Sequence, residues 1–319
     1  MVKRPFNLPQ FVLYLLYMIG VLGGTFMDFT IENEFLRVSV ASLGAELTSV
    51  IKKETGEEML WQADPAVWNR HAPMLFPYCG KLKDGKYTHN GVTYEGGQHG
   101  FARDMEHSLI AQQPDSVSLC LEANALTMEK FPFAFKLIST FTLIGKTLAQ
   151  HIEIVNDGDV PMQFGFGFHP GVNCPFDENH KADDYAFVFD TSETPDVVDV
   201  NTANGLVTGK TYKYFENGTE IPISDTLFAH DSICFKGLKS QTLSVVEKNT
   251  GRKVIFDIAG FPYTLVWSAA GKLHFVCVEP WFGLPDFEDA SGNWSEKRAS
   301  LTLGAEQSWQ TELRMTFER

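Results

Sequence analysis

The chain has 319 residues, 44% of them hydrophobic and 21% charged, an ordinary globular composition with enough apolar residues to bury a sizeable core. A net charge of −14, with no Lys/Arg-rich run, excludes a protein built to grip a phosphate backbone, so nucleic acid is not an expected partner and a small ligand is. The five cysteines, Cys79, Cys120, Cys174, Cys234 and Cys277, are odd in number and form no C-x-x-C pair, which points to a reducing compartment rather than a disulfide framework or a zinc site.

At the N-terminus, Lys3 and Arg4 precede FVLYLLYMIGVLGG, an apolar run of signal-peptide length. The run is shorter than the roughly 20 residues that span a bilayer, so stable membrane insertion is not expected. Three readings compete: a secretory signal, a short anchor, or upstream sequence ahead of a true start at Met27. Strand pattern begins abruptly at MDFTIENEFLRVSV, which favours the third. Residues 1–26 are therefore read as a leader and residues 27–319 as one domain. The expected location is cytoplasmic, with secretion the alternative if the leader acts as a signal.

From Phe29 onward the pattern is of short alternating or β-rich segments parted by turn residues, the signature of an all-β, antiparallel chain. LRVSVASLGAELTSVIKK reads as two strands hinged near Gly44, and KYTHNGVTYE as a hairpin turned at Asn90-Gly91. DPAVWNRHAPMLFP is the least strand-like part of the N-terminal half and holds at most a helical turn after Asp64. Further strands are expected at SVSLCLEAN, FAFKLISTFTLIGKTLAQHIEIVND, ICFKGL, TLSVVEKNTGRKVIFDI, YTLVWSA, HFVCVEP and SWQTELRMTFE. Hairpin turns are expected at Asn156-Asp157-Gly158-Asp159 and Asn249-Thr250-Gly251. The chain shows no fixed-period repeat and no Pro/Ser linker.

Three stretches carry chemistry. In FGFGFHPGVNCPF the period-two alternation turns Phe164, Phe166 and Phe168 to one face and Gly165, Gly167 and His169 to the other, so His169 ends what reads as a bare floor. In KLHFVCVEPWFGLPD the same alternation puts Glu279 where Phe275 and Cys277 lead one to expect an apolar core residue. Pro170 and Pro280 follow the two titratable residues, which reads as two strand ends. In GGQHGFARD, His99 lies between glycine-containing turns, with Arg103 and Asp104 close behind. The residues alone leave open whether either histidine is a structural, hydrogen-bonded group or a reactive one.

HAPMLFP, HGFARD, FGFHPGVNCPF and VEPWFGLPD, in this order and at these separations, resemble the galactose mutarotase-like aldose 1-epimerase family, in its LacX-type branch. The resemblance runs from about Met27 to the C-terminus. It implies a large β-sandwich, a sugar cleft, a small-molecule sugar substrate, and no metal or organic cofactor. It also implies Glu279 as general base, His169 as general acid and His99 as a second histidine at the sugar's reactive end. Lys81, in FPYCGKL, stands where the family commonly has Arg, keeping the charge and losing the planar fork. Asp231 in FAHDSICF matches an aspartate that binds a sugar hydroxyl. Trp281 is either a wall for the sugar ring or core, and Arg103 is a binding candidate beside His99.

The implied activity is anomer interconversion, which needs one proton taken from the anomeric hydroxyl and one given to the ring oxygen. Histidine is suited to such exchange near neutrality. The alternatives are a sugar-binding module without catalysis, or a glycoside hydrolase, for which Asp104 and Asp286 are the nearby second carboxylates. A metal site from His99, His169 and Glu279 has no spacing such as H-E-x-x-H behind it. Arg70, Lys81, Lys83 and Arg103 are the cations near these stretches.

Overall fold

The computed structural model describes residues 27–319, so the leader expected over residues 1–26 lies outside it. Alternating apolar residues build two large antiparallel sheets. In spatial order, the nine-stranded sheet runs Gly218–Pro222, Tyr185–Glu193, Thr242–Glu247, Lys253–Asp257, Ser308–Glu318, Thr147–Asn156, Phe135–Ile144, Ser116–Glu122 and Ser108–Gln113. The second sheet runs Leu206–Lys213, Asp196–Asn201, Ile233–Lys236, Tyr263–Trp267, Phe275–Phe282, Phe166–Phe168 and Met74–Leu75, with Gly171–Asn173 also paired to Phe275–Phe282. The fold is thus an all-β sandwich.

Its principal core lies between the sheets. Phe135, Leu137, Leu148, Ile152, Val245, Val254 and Met315 of the first meet Met74, Phe166, Phe168, Val197, Phe235, Val266, Val276 and Val278 of the second. A fully buried Phe or Val contributes roughly 1.5–3 kcal/mol through removal from water. Smaller elements close the ends: a sheet of Asp28–Glu32, Leu36–Ala41 and Leu47–Lys52, a hairpin of Lys86–His89 and Val92–Glu95, and a helical turn at Ala125–Met128 capped by Asn124.

The hinge near Gly44 and the Asn90-Gly91 turn form as the sequence reads. Gly44 adopts φ +72°, and a Cβ there would stand 2.6 Å from the carbonyl oxygen of Arg103, so only glycine fits. After Asp64 the chain makes one turn, with the Val67 and Trp68 amides bonded to the Asp64 carbonyl.

Four expectations fail. The Asn156–Asp159 segment is not a hairpin, because the strand after it, Met162–Phe164, pairs with Leu301–Leu303; the Asn156 amide instead donates to the carbonyls of Val160, Leu303 and Gly304, joining three segments. Four strands between residues 185 and 222 were not read from the sequence. Pro280 does not end its strand, which continues to Phe282, and Glu279 is in its interior. Finally, Phe275, Cys277, Glu279 and Trp281 do not face the inter-sheet core, which takes Val276 and Val278; they face outward into smaller apolar clusters covering that sheet's other side.

Candidate functional site

That outer face holds a cleft of about 490 Å³. Two strands set its centre. Phe166–Phe168 pairs with Phe275–Phe282 at Gly167↔Trp281, and Gly171–Asn173 pairs with the same strand at Gly171↔Cys277. Carrying this register through the gap puts His169 opposite Glu279. Pro170 has no N–H for a ladder bond, so the edge opens there and the imidazole turns to the carboxyl. His169 Nε2 lies 3.3 Å from Glu279 Oε2, with the side chains 9% and 2% exposed.

Burial governs the protonation of this pair. It raises the Glu279 carboxyl well above the usual carboxylate range, with the negative charge of Asp231 adding to the effect. It lowers His169 to about 3, with Arg103 lowering it further. Both shifts favour the uncharged forms, a protonated carboxyl beside a neutral imidazole. Among the described residues, buried His169 Nδ1 has no hydrogen-bond partner. The ring is held by stacking: Trp68 lies against it at 5.0 Å between centroids and 27° between planes, and Trp267 meets it edge-on at 5.5 Å.

His99 stands perpendicular to His169, 5.7 Å away. Its backbone is left-handed, at φ +68°, and the following Gly100, at φ +71°, would place a Cβ 2.1 Å from the Phe76 carbonyl oxygen. The amides of Phe101 and Ala102 bond to that same oxygen, fixing the loop to the end of the strand Met74–Leu75. The Gly80 amide donates to His99 Nδ1 at 3.0 Å, and Nε2 lies 3.0 Å from the Gln98 side-chain amide. Burial first, then His169 and Arg103, hold His99 well below its ordinary pKa. A neutral ring that accepts at Nδ1 carries its proton on Nε2, and the Gln98 amide then turns its oxygen to that proton.

Glu279, His169, His99, Lys81, Arg103, Asp231 and Trp281 all line this one cleft. Asp231 is also left-handed, at φ +75°, and its Oδ1 accepts from the Ser232 amide at 2.8 Å. Lys83 does not reach the cleft and donates to the Ala290 carbonyl at 3.0 Å. Asp104 and Asp286 do not line it either. Asp104 pairs with Arg70, and buried Asp286 pairs with Lys297 at 2.6 Å.

The glycine floor expected beside His169 is absent. A Cβ on Gly167 would stand 2.6 Å from Trp281 Cδ1, and the nearest neighbours of one on Gly165 are the Tyr78 and Phe282 backbones. The glycines make room for the Trp281 indole, whose Nε1 donates to the Phe168 carbonyl at 3.1 Å. The wall is therefore Trp281 itself. Sequence reasoning also missed Trp68 and Trp267; their signal, two tryptophans closing otherwise ordinary segments, is weak without a known partner.

Among the described residues, two groups have metal-ligating types close together. His169, Cys277 and Glu279 place ligand atoms within 4.8 Å, but burial and Glu279 push the Cys277 thiol far up, so it is not a ready thiolate. Asp177, His180 and Glu247 lie around Arg252, which already pairs with both carboxylates.

The model of the aldose 1-epimerase family, described as "Aldose 1-epimerase", matches residues 27–302. The chain belongs to this family. It is 32% identical to the chromosomal protein LacX of Lactococcus lactis subsp. lactis over 283 residues, covering 86% of this chain and 94% of that one. The crystal structure of a galactose mutarotase related enzyme from Lactobacillus acidophilus superposes with a TM-score of 0.88 at 32% identity, covering 92% of this chain and 98% of that one. A galactose mutarotase-like protein from Lactobacillus casei ATCC 334 gives 0.85 at 30% identity, over 92% and 100%. Among the described residues no helix is long and apolar enough to cross a membrane.

Proposed function

We propose that this member of the aldose 1-epimerase family is itself an active epimerase, interconverting the α and β anomers of an aldose. The observation that carries the reading is the buried Glu279–His169 contact at 3.3 Å inside an open cleft. Between them the two groups hold one proton, so one can donate while the other accepts.

The sugar's reactive end lies in the cleft against both the carboxyl and the imidazole. Its hydroxyl donors favour the charged carboxylate, and the pair's proton passes to His169. Glu279 then takes the proton of the anomeric hydroxyl. The electrons of that O–H bond form the C1 carbonyl, the bond from C1 to the ring oxygen breaks, and His169 protonates the departing oxygen. The aldehyde turns about C1–C2, and the ring oxygen adds to the other carbonyl face as both protons retrace their paths. Nothing is consumed, and no oxidant or reductant is needed. His99, standing perpendicular to His169 on the cleft lining, binds the oxygen at C1. Trp281 gives the ring an apolar wall, and Asp231 takes a hydroxyl.

The hydrolase reading needs a second carboxylate, and its two candidates are committed elsewhere. NMR exchange spectroscopy on anomeric mixtures of aldoses tests the proposal: enzyme-dependent α/β exchange supports it. Sugar binding with no exchange over the spontaneous rate would leave a binding module instead.

A further inference from the structure

We infer that Asp286, which does not line the cleft, is a positioning residue for His99: it clamps the loop whose Gly80 amide sets the orientation and tautomer of that ring. The inference rests on the epimerase reading for what His99 does to a substrate, while the clamp itself stands on the geometry of the free protein. Asp286 and Lys297 form a buried ion pair behind the cleft, with side chains 7% and 4% exposed. Such a pair is weak evidence for stability, because apolar residues of similar volume often serve as well. A carboxylate can do one thing that they cannot, which is to accept a main-chain amide.

His99 hangs on Gly80 twice. Its own amide donates to the Gly80 carbonyl at 2.8 Å, and the Gly80 amide donates to its Nδ1 at 3.0 Å. An N–H aimed at Nδ1 keeps that nitrogen unprotonated, so a shift of the Gly80 peptide would free the neutral ring to take the other tautomer. Gly80 sits at φ +70°, and a Cβ on it would stand 2.2 Å from Pro285 Cγ, so the residue before Asp286 packs directly on this peptide. Asp286 closes on the residues that follow. Its amide donates to the Lys81 carbonyl at 2.8 Å, and its Oδ2 accepts from the Lys83 amide at 2.9 Å. Its Oδ1 accepts from the Lys297 ammonium at 2.6 Å, and the same ammonium donates to the Leu284 carbonyl at 3.3 Å, so Lys297 fixes both ends of residues 284–286. The upstream side of the loop is held separately, by the Gly165 amide on the Pro77 carbonyl at 2.7 Å. Residues 284–286 follow the strand Phe275–Phe282, which carries Glu279. The clamp therefore ties the loop of His99 to the strand of the carboxyl beside which it works.

The test replaces the ion pair with apolar residues, Asp286→Leu together with Lys297→Met, which removes the clamp without stranding a buried charge. Ring-nitrogen NMR spectra of the histidines, assigned with the help of His99→Asn, read the tautomer in the free protein. The native protein should show His99 protonated at Nε2 alone, and the apolar pair a mixture of both tautomers. Asp286→Asn together with Lys297→Gln should restore the native signal, because an amide oxygen at position 286 still accepts from the Lys83 amide and its NH2 donates to the glutamine oxygen. Anomer exchange in the apolar pair should lose about tenfold in kcat/KM, whereas the same change made in His99→Asn should cost less than about twofold, since a residue acting through His99 has nothing left to act on. Native His99 signals in the apolar pair, or losses that multiply in full with His99→Asn, overturn the inference and leave Asp286 a purely structural residue. If the native protein exchanges no sugar, the epimerase reading fails, and the ring signals alone decide the clamp. If the apolar pair does not fold, Asp286→Asn alone, which keeps the size and loses the charge that holds Lys297, is read for the same signals, and a native His99 there sinks the inference.

Discussion

Glu279 and His169 meet at 3.3 Å because they occupy opposite positions of one antiparallel register that Pro170 interrupts. Their protonation is set by burial rather than by mutual charge. The carboxyl is held up, the imidazole is held down to about 3, and the resting pair is neutral.

Replacing either partner should remove the donor–acceptor relay. Glu279→Gln is expected to lower kcat by roughly 10²–10⁴-fold, since an amide cannot take the anomeric proton. His169→Asn should leave more activity, because it can still donate a hydrogen bond to the ring oxygen. Exchange rates with a matching near-ultraviolet spectrum check both. Near-native turnover in Glu279→Gln would refute the assignment.

The rate profile should lack a limb in the ordinary histidine range. An imidazole with a pKa of about 6.5 would lose its proton there, whereas His169, held down to about 3 by burial, does not titrate in that region. Mutarotation kcat/KM measured from pH 5.5 to 8 should be nearly flat, and a drop centred near 6.5 would show that His169 titrates as an exposed histidine does.

Stability should fall on acidification. His99, His107 and His169 are buried and neutral, with His107 lowered to about 4 by burial, so the unfolded chain binds protons at these sites that the folded chain does not. Their contribution is complete above about pH 6.5 and is lost as pH falls toward the folded values, at about 1.4 kcal/mol per pH unit for each. Glu279, raised by burial, has the opposite sign and stabilises the fold at low pH, offsetting part of the histidine contribution above its unfolded pKa. Urea unfolding from pH 4.5 to 7 should show stability rising with pH, and more steeply in Glu279→Gln.

Gly167→Ala should push the Trp281 indole off its seat, since the new Cβ would lie 2.6 Å from Cδ1. The expected cost is roughly 1–3 kcal/mol of overpacking, with a raised KM because the cleft wall moves. Unchanged tryptophan fluorescence and KM would show that the wall tolerates the methyl group.

Far from the cleft, Arg252 pairs with Asp177, Glu57 at 2.9 Å and the buried carboxylate of Glu247 at 2.5 Å, and Tyr185 also donates to Glu247 at 2.5 Å. Arg252→Met strands Glu247 and should cost about 3–5 kcal/mol. Thermal melting checks it, and a loss under about 1 kcal/mol would mean that Tyr185 and Thr250, whose hydroxyl also donates to Glu247, suffice.

Much of the β architecture was legible in the sequence, because alternation with period two is a local consequence of a sheet with one wet and one dry face. It failed where both faces are covered. Phe275–Phe282 is buried along nearly its whole length, so its alternation marks two different apolar environments, and a chain pattern cannot tell a core from a lined cleft. The residue types at the site were visible for the same local reason: glycines, prolines and a misplaced carboxylate break a pattern. Their meaning was not. Whether Gly167 leaves room for a ligand or for Trp281, whether Asp286 faces a sugar or Lys297, and whether Lys83 joins Lys81 depend on which distant segments pack against them. Strand register decides those neighbours, and register is fixed by the burial of the whole sheet at once, as are the loss of water around Glu279 and His169 and their resulting neutrality.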